Sequence, residues 1–476
     1  MFRSKNFGTC GDVKITINID HERITSLPAE PPRLKKYLRS LKLIFKAGTH
    51  DKLRHATQYF KGLFQGQKRN IERMVERVPD SDYYQIQHFI SESPWDSRAA
   101  FDRVASDTSG LFAGRQRVGL LIDESAHRKK GKESVGVARQ YCGTIGKVDN
   151  CQVAVYGALS VEKYYGIIDA ALYLPEEWTS DEARCKKAGV PPMPKEEKRV
   201  CKTKVELALE MVQHQKQLGS WFHYVGADGL YGNSYYFQQE LDKMGILFVL
   251  EIHSDQYMYT EPPIIAIPAK TDGAGRNPSR YKATGNAIEV RQFAKNIPKE
   301  AWQKIRLRQT GKGDLNCLGY SQKVYLWDGQ SADYMERQLV IRVTESKDGS
   351  REYKYAISNA CDGECTTEEL VQMQSQRYFV ERSFQDARQE AGMSQYQVRG
   401  WLAWHHHMAM VMMALHFILS EKMLLKDKLP LLSAYDVREM ILNTYAKKGT
   451  TQKQIMEQIN QRHKQRSIQR TRKDST

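Results

Sequence analysis

The most constraining feature of this sequence is the order of the elements predicted between residues 118 and 252. Short apolar runs, typical of buried strands, alternate unevenly with helical patterns. The order is strand, strand, strand, helix, strand, helix, strand, at 118–123, 152–159, 167–174, 199–219, 221–228, 234–244 and 246–252. It fits neither a doubly wound parallel sheet nor an all-β protein. The sequence therefore predicts an α/β fold with a mixed five-stranded sheet and helices.

Two of these predicted strands end in an acid, Asp123 and Asp228. Either acid alone is compatible with a turn aspartate just outside a sheet. Two carboxylates on neighbouring strands are more informative, because Mg²⁺ binds through one or two carboxylates together with substrate phosphates.

A third acid, Glu381, lies on a predicted helix between two arginines. Arg377 precedes it by four residues and Arg388 follows it by seven, so all three lie on one helical face. An exposed ion pair is the simplest interpretation. The apolar neighbours of Glu381 favour a half-buried carboxylate beside two guanidinium groups, an arrangement suited to phosphate contact next to a metal ligand.

The net charge points to a polyanionic partner. The chain has 476 residues, 72 Lys and Arg, and 56 Asp and Glu, which gives +16. Nucleic acid fits this excess better than an anionic membrane surface. No apolar run reaches the roughly 20 residues of a membrane span. Eight cysteines are ordinary usage and predict a reducing, cytoplasmic compartment.

The remaining segments divide by composition. The domains are predicted at 1–112 (helical), 113–252 (first part of the core), 253–365 (β-rich insertion), 366–400 (core helix with the Glu), 401–446 (helical) and 447–476 (basic tail). The N-terminal helices carry interleaved basic residues. They form either a DNA-binding module or the solvated face of an ordinary helical bundle, and the sequence leaves both open. The tail has nine Lys and Arg against two acids, a net charge of +7.

Together these motifs resemble the DDE transposases of bacterial insertion sequences, within the RNase H-like superfamily. The chain resembles most the subgroup with a Tyr-x2-Arg-x3-Glu-x6-Lys signature, matched here by Arg377-x3-Glu381-x6-Arg388, with Gln374 at the tyrosine position. Further similar stretches are 93–96, 121–123, 130–143, 227–232 and 396–405. The similarity covers about residues 50 to 420.

The resemblance implies a fold and a mechanism. It places Asp123 on the first strand of an RNase H-like domain, Asp228 after the fourth and Glu381 on a late helix. These three acids would be catalytic and would bind two Mg²⁺ ions, for which Mn²⁺ can substitute. The ions would lie about 3.5–4 Å apart and activate water or a DNA 3′-hydroxyl for in-line attack.

The resemblance also implies residues that contact DNA. Phosphate contacts are expected from Arg377, Arg388, Arg128, Lys129, Lys130, Lys132 and Arg399. The run from His127 to Lys132 is expected in a hairpin loop, with a solvated basic turn as the alternative. Trp302 and Trp327 of the insertion are candidates for stacking on a flipped base, although either is equally compatible with a core position.

A cut-and-paste transposase is the leading hypothesis for function. Such an enzyme binds terminal inverted repeats of double-stranded DNA, cleaves the strands and joins 3′ ends to target DNA, and is expected to act as a homodimer. It would be cytoplasmic, associated with the nucleoid and not with a membrane. The alternatives are a metal-dependent endonuclease of the same fold without strand transfer, and a catalytically silent DNA-binding protein.

Three other polar features are not predicted to form sites. Cys361 and Cys365 lack a second pair of ligands for zinc. His405, His406 and His407 diverge by about 100° per residue on a helix, so they cannot converge on one ion. Glu124 is expected on the strand face opposite Asp123.

Overall fold

The computed structural model describes residues 31–47, 50–66, 68–194, 197–270, 276–310, 313–346, 348–444, 451, 456–457 and 459–460. Most of the predicted basic tail, and the glycine-rich stretch 271–275, lie outside the described residues.

Helices dominate both ends of the described chain, and strands dominate its middle. The helices are α1 (Pro31–Ser40), α2 (Leu53–Gln65), α3 (Ile71–Val75), α4 (Tyr83–Ser91), α5 (Ser97–Phe112), α6 (Glu176–Thr179), α7 (Glu182–Lys187), α8 (Lys204–Gln217), α9 (Gly229–Gly232), α10 (Tyr235–Lys243), α11 (Val290–Lys295), α12 (Thr367–Gln376), α13 (Tyr378–Glu390), α14 (Trp401–Leu424) and α15 (Ala434–Thr444), with a 3₁₀ turn at Lys299–Ala301. The strands are β1 (Lys46–Ala47), β2 (His50–Asp51), β3 (Gly119–Arg128), β4 (Ala138–Cys142), β5 (Lys147–Val161), β6 (Tyr164–Leu172), β7 (Tyr224–Ala227), β8 (Leu247–Ile252), β9 (Tyr257–Tyr259), β10 (Ile264–Ala266), β11 (Lys282–Thr284), β12 (Ala287–Glu289), β13 (Gln303–Thr310), β14 (Gly313–Leu326), β15 (Met335–Glu345) and β16 (Arg351–Ser358).

Five strands form the part of the large sheet that the sequence predicted. Their order is β6-β5-β3-β7-β8. The pairs β6/β5 and β5/β3 are antiparallel, whereas β3/β7 and β7/β8 are parallel. The predicted mixed α/β architecture is thus confirmed. The parallel pairs need crossovers, which α8 and α10 supply.

The strands of the predicted insertion continue this sheet. β16 pairs antiparallel with β8, and β15, β14, β9 and β12 follow in order, so the sheet has twelve strands including β4, β6 and β13. The segment 253–358 is therefore joined to the core by a ladder of backbone hydrogen bonds. The domain boundaries drawn from composition remain predictions.

Helices cover both faces of the sheet. Leu121, Tyr156 and Val249 point to one face, where they share a buried core with α12, α13 and α14. Leu120 and Phe248 point to the other face, which is covered by α8 and α10. This alternation decides which side chains of a strand can meet α13.

The helix α14 is the centre of the helical half. It is apolar on all sides, and α2, α4, α5 and α15 pack around it. Among the described residues it is the one helix long and apolar enough to cross a membrane, yet 89% of its apolar window is buried inside the protein. This burial is typical of a core helix.

Local sequence signals fix several helix starts near the site. The Asp96 side chain accepts from the backbone N–H groups of Arg98 and Ala99 at the start of α5. Reciprocal capping pairs, Thr203 with Glu206 and Thr366 with Glu369, begin α8 and α12. α12 and α13 meet at Arg377, which places that arginine at the start of the helix carrying Glu381.

Candidate active site

Asp123 and Asp228 come together because their strands are parallel neighbours. Ile122 and Ala227 are the last aligned pair of β3 and β7, and each is followed by one of the two acids. Both acids therefore lie at the same edge of the sheet. The Asp228 carboxylate also accepts from the Leu230 backbone N–H at 3.0 Å and so caps α9.

Arg377 connects Asp123 to the third acid. Its Nη1 lies 3.2 Å from Asp123 Oδ2, and its Nη2 lies 2.7 Å from Glu381 Oε1. The Asp123 side chain is 12% exposed, whereas that of Glu381 is 56% exposed. The helical face that carries Arg377 and Glu381 thus lies against the strand end that carries Asp123, with the guanidinium of Arg377 between the two acids.

The three predicted acids line one open cavity of about 460 Å³, here called the acidic cleft. Its other polar lining side chains are Glu124, Ser125, Tyr141, Thr144, Lys204, Arg377 and Arg388. The cleft contains both arginines of the helical signature. Arg388 Nη2 donates to Ser125 Oγ at 2.6 Å, which fixes it two residues along β3 from Asp123.

The buried acids of the cleft have raised pKa values, so their charged forms are only partly stabilised by the neighbouring cations. Burial first, and then the nearby Asp228, raise the pKa of Asp123 to about 8, against the lowering effect of Arg377. The pKa of Asp228 is also raised, first by burial and then by Glu124. A cation held between these carboxylates would relieve both costs.

The donor set fits a divalent hard cation. Carboxylate oxygens from two strand ends and one helix face the acidic cleft, and oxygen ligands are those that Mg²⁺ prefers. Within the described ranges, however, no three acidic, histidine or cysteine side chains are close enough to hold a metal as they stand. Arg377 occupies the space between Asp123 and Glu381, so a cation there requires the guanidinium to move.

Glu251 is a residue at this site that the sequence argument missed. It lies near the end of β8, and its Oε2 is 2.9 Å from Arg377 Nε. The signal was present, because β8 is an apolar run ending near an acid like the strands that carry Asp123 and Asp228. Glu124 was expected on the opposite face of the strand, yet it lines the acidic cleft together with Asp123 and Asp228. It accepts from Lys204 Nζ at 2.9 Å and from the Tyr231 hydroxyl at 3.2 Å.

The expectation that the whole run from His127 to Lys132 lies in a loop is wrong, because His127 and Arg128 are the last two residues of β3 and pair with β5. β3 continues to Arg128, which pairs with Asp149 at 2.6 Å. Lys130 and Lys132 are exposed. Lys129 is not, because its Nζ lies 3.4 Å from the centroid of the Tyr396 ring and burial lowers its pKa to about 7.

Arg399 lies at a second cavity, away from the three acids. Arg184 and Lys187 line the same cavity, and Lys187 is paired with Glu133 at 3.1 Å. Arg184 Nη2 donates to the Lys132 carbonyl at 3.0 Å, which connects this cavity to the loop after β3. DNA contact by Arg399 and by the loop remains a prediction.

The two tryptophan candidates and Gln374, at the tyrosine position of the signature, are less exposed to solvent than Lys130 and Lys132. Trp302 and Trp327 are half-buried. The Trp302 ring lies 5.8 Å from that of Tyr320, and Trp327 Nε1 donates to the Ser331 carbonyl at 2.9 Å. Gln374 is buried beside the sheet rather than exposed to the cleft.

The polar features that were not predicted to form sites have other surroundings. Cys361 and Cys365 are free thiols. His406 stacks on Trp95 at 3.7 Å, and His407 faces the Tyr59 hydroxyl at 2.7 Å, so neighbouring histidines point to different parts of the core.

Comparison with known proteins identifies the family of this chain. A probable transposase of the insertion sequence element IS701 from Microchaete diplosiphon is 29% identical over 201 residues, which are 41% of this chain and 47% of that protein. The match thus spans about half the length of that relative. The solved synaptic complex of piggyBac transposase with hairpin DNA aligns over 86% of this chain and 75% of that chain, at 12% identity and a TM-score of 0.36. The family described as DDE superfamily endonuclease matches residues 43–314, more than half of the sequence. The chain therefore belongs to the DDE superfamily endonuclease family.

Proposed function

We propose that this protein is a DNA transposase that cleaves DNA strands at the ends of an insertion sequence and joins the 3′ ends to target DNA. The observation that carries the proposal is the placement of Asp123 and Asp228 at adjacent ends of parallel strands, with Glu381 facing them. Membership of the DDE superfamily supports it, as does the similarity to a probable insertion-sequence transposase.

The strand order supports an RNase H-like core as the basis of this activity. In the order β6-β5-β3-β7-β8, Asp123 lies on the first strand along the chain and Asp228 follows the fourth. Glu381 lies on the late helix α13, after the strands of the insertion. This is the distribution that the resemblance implies for the three catalytic acids.

Each residue of the acidic cleft then has a role. Asp123, Asp228 and Glu381 would hold two Mg²⁺ ions. When bound, such ions lower the pKa of an attacking hydroxyl and stabilise the leaving oxygen of an in-line displacement. Arg377 and Arg388 supply guanidinium groups beside the acids, which suits them to orient the phosphate that is attacked.

DNA outside the cleft would be held by basic surfaces and by a second subunit. Lys130 and Lys132 are exposed after β3, and Arg399 lies beside Arg184 at the neighbouring cavity. Such contacts supply affinity without sequence information. Recognition of terminal repeats by residues 1–112, and a homodimer in the synaptic complex, belong to the same proposal.

Two other functions make different predictions. An endonuclease of the same fold would cut DNA without joining it, and a catalytically silent protein would bind without cutting. The test is incubation of the purified protein with Mg²⁺, linear DNA carrying the ends of the sequence that flanks the gene, and a supercoiled target plasmid. Transposition predicts both end cleavage and joined products. Cleavage without joining would favour the endonuclease.

The control variant is Asp123→Asn, which keeps the size of the side chain and removes its charge. It should bind the same DNA in the presence of Ca²⁺ and yield neither product. Full cleavage by this variant would refute the assignment of Asp123 as a catalytic residue.

A further inference from the structure

A row of three acids, rather than two, crosses the edge of the sheet at the cleft. Gly226 pairs with Val249, and Ala227 pairs with Leu250. The next residue along each chain segment is Asp228 after β7 and Glu251 on β8, so these two acids lie side by side. Asp123 on β3, Asp228 directly after β7 and Glu251 on β8 therefore each follow an aligned residue of three adjacent parallel strands. Side chains one residue beyond an aligned pair point to the same face.

The three guanidinium nitrogens of Arg377 contact three different carboxylates. Nη1 and Nη2 donate hydrogen bonds to Asp123 and Glu381 at 3.2 and 2.7 Å, whereas Nε lies 2.9 Å from Glu251 Oε2 as an ion pair without hydrogen-bond geometry. The Arg377 and Glu251 side chains are 17% and 15% exposed, so this contact is largely removed from solvent. Removal of one partner from a half-buried ion pair of this kind lowers the stability of the protein, because the remaining charge is left buried without that partner.

We propose that Glu251 is a positioning residue that retains Arg377 at the cleft when Asp123 and Glu381 exchange its guanidinium for a divalent cation. Two of the carboxylates around Arg377 are the acids proposed to bind the cation, and Glu251 is not needed for that task. Arg377 would then stay beside the acids with its Nη atoms free for a DNA phosphate. This inference rests on the proposed function of the three acids.

Glu251 is held firmly enough for such a role. Its carbonyl oxygen packs against α9, where a Cβ on Gly232 would overlap it. Its strand is paired with β16 on one side and β7 on the other. Arg342 of β15 lies near it, since Glu251 opposes the lowering of the Arg342 pKa by burial. The anchor is thus fixed by the sheet rather than by a loop.

The test is a titration of the full chain with Mn²⁺ by calorimetry, without DNA, in two backgrounds. With Arg377 present, Glu251→Gln removes one of the three carboxylates that contact the guanidinium. The guanidinium then pairs only with Asp123 and Glu381 and competes more strongly with the ion for these two acids. We expect the dissociation constant for Mn²⁺ to rise about tenfold, an ordinary coupling between contacting charges. In the Arg377→Gln background, Glu251→Gln should change the constant by less than about twofold.

A matched control is Glu240→Gln on α10, which removes a half-buried glutamate paired with Lys243 away from the cleft. It should leave Mn²⁺ affinity unchanged in both backgrounds. Glu251→Asp keeps the charge and should restore most of the affinity lost in Glu251→Gln. The midpoint of thermal unfolding in EDTA checks that each variant is folded, and there the losses caused by Glu251→Gln and Arg377→Gln should be less than additive.

Each failure has a distinct meaning. If Glu251→Gln weakens Mn²⁺ binding equally in both backgrounds, Glu251 is a ligand and the positioning role is wrong. If it changes affinity in neither background, Glu251 does not hold Arg377 against the ion. If the unaltered chain binds no Mn²⁺ at the cleft, the proposed function of the three acids fails and the inference fails with it.

Discussion

Asp123 and Asp228 stand next to each other at one edge of the sheet although 105 positions separate them in the chain, because β3 and β7 run parallel and in register up to the residues before them. The geometry therefore depends on backbone pairing and not on a flexible loop. Removal of either charge should alter chemistry at the cleft while leaving the sheet intact.

Glu381→Gln should abolish DNA cleavage and spare DNA binding. The exposed carboxylate contributes little to folding, whereas loss of a cation ligand removes several kcal/mol of transition-state stabilisation, about a thousandfold or more in rate. Single-turnover cleavage of an end-bearing duplex and filter binding in Ca²⁺ measure the two effects. Retained cleavage would show that another residue supplies the third carboxylate. Arg382→Gln, one residue along α13, serves as the control.

Gly232→Ala should damage both stability and activity. A Cβ there would overlap the Glu251 carbonyl, so α9 and the Asp228 that caps it must shift. The expected cost is about 1–3 kcal/mol of unfolding free energy. Gly110→Ala on α5 is the matched control, because a Cβ meets nothing within 4 Å there. That change should stabilise the protein by about 0.5–1 kcal/mol. Urea unfolding measures both, and equal effects would contradict the packing described at α9.

Acid should destabilise the protein through the buried histidines of α14. Burial lowers the pKa of His406, His407 and His416 to about 4, 3 and 4. Between pH 7.5 and 5.0 the unfolded chain takes up protons that the folded chain does not, so stability falls as the pH falls. Each histidine contributes about 2 kcal/mol to that loss. Unfolding of His407→Gln at both pH values should show a smaller loss than the unaltered chain, and an identical loss would rule out His407 as a contributor.

The lysines after β3 should differ in their contribution to DNA binding according to how exposed they are. Lys130→Ala and Lys132→Ala should each weaken binding to any duplex and lower the slope of log affinity against log salt by about one. Lys129→Met should leave that slope unchanged, since Lys129 lies on the Tyr396 ring. Its thermal midpoint should not fall, because an apolar side chain of similar length replaces a buried cation. A lowered slope in Lys129→Met would place this amine on the DNA.

The sequence was sufficient for the core because its signals are local. Apolar runs and their order predict β3, β5, β6, β7 and β8, and helical spacing places Arg377 and Glu381 on one face. What it could not predict depends on pairing between distant segments. The union of β16 with β8 needs the register of the insertion, and the burial of Lys129 needs Tyr396 from another part of the chain. Glu251 stands near the end of an apolar run as the other two acids do, but its place beside Arg377 follows only from the register of β8 with β7.

The pairing of β16 with β8 has a consequence for how this chain can be shortened. Deletion of 253–358 would leave the outer side of β8 with unsatisfied backbone groups, an open template for another molecule. Such a truncated protein should aggregate rather than behave as a minimal nuclease. A deletion limited to the 259–287 region would leave the pairing of β16 with β8 intact. The insertion is in this sense a permanent cover for the strand that carries Glu251.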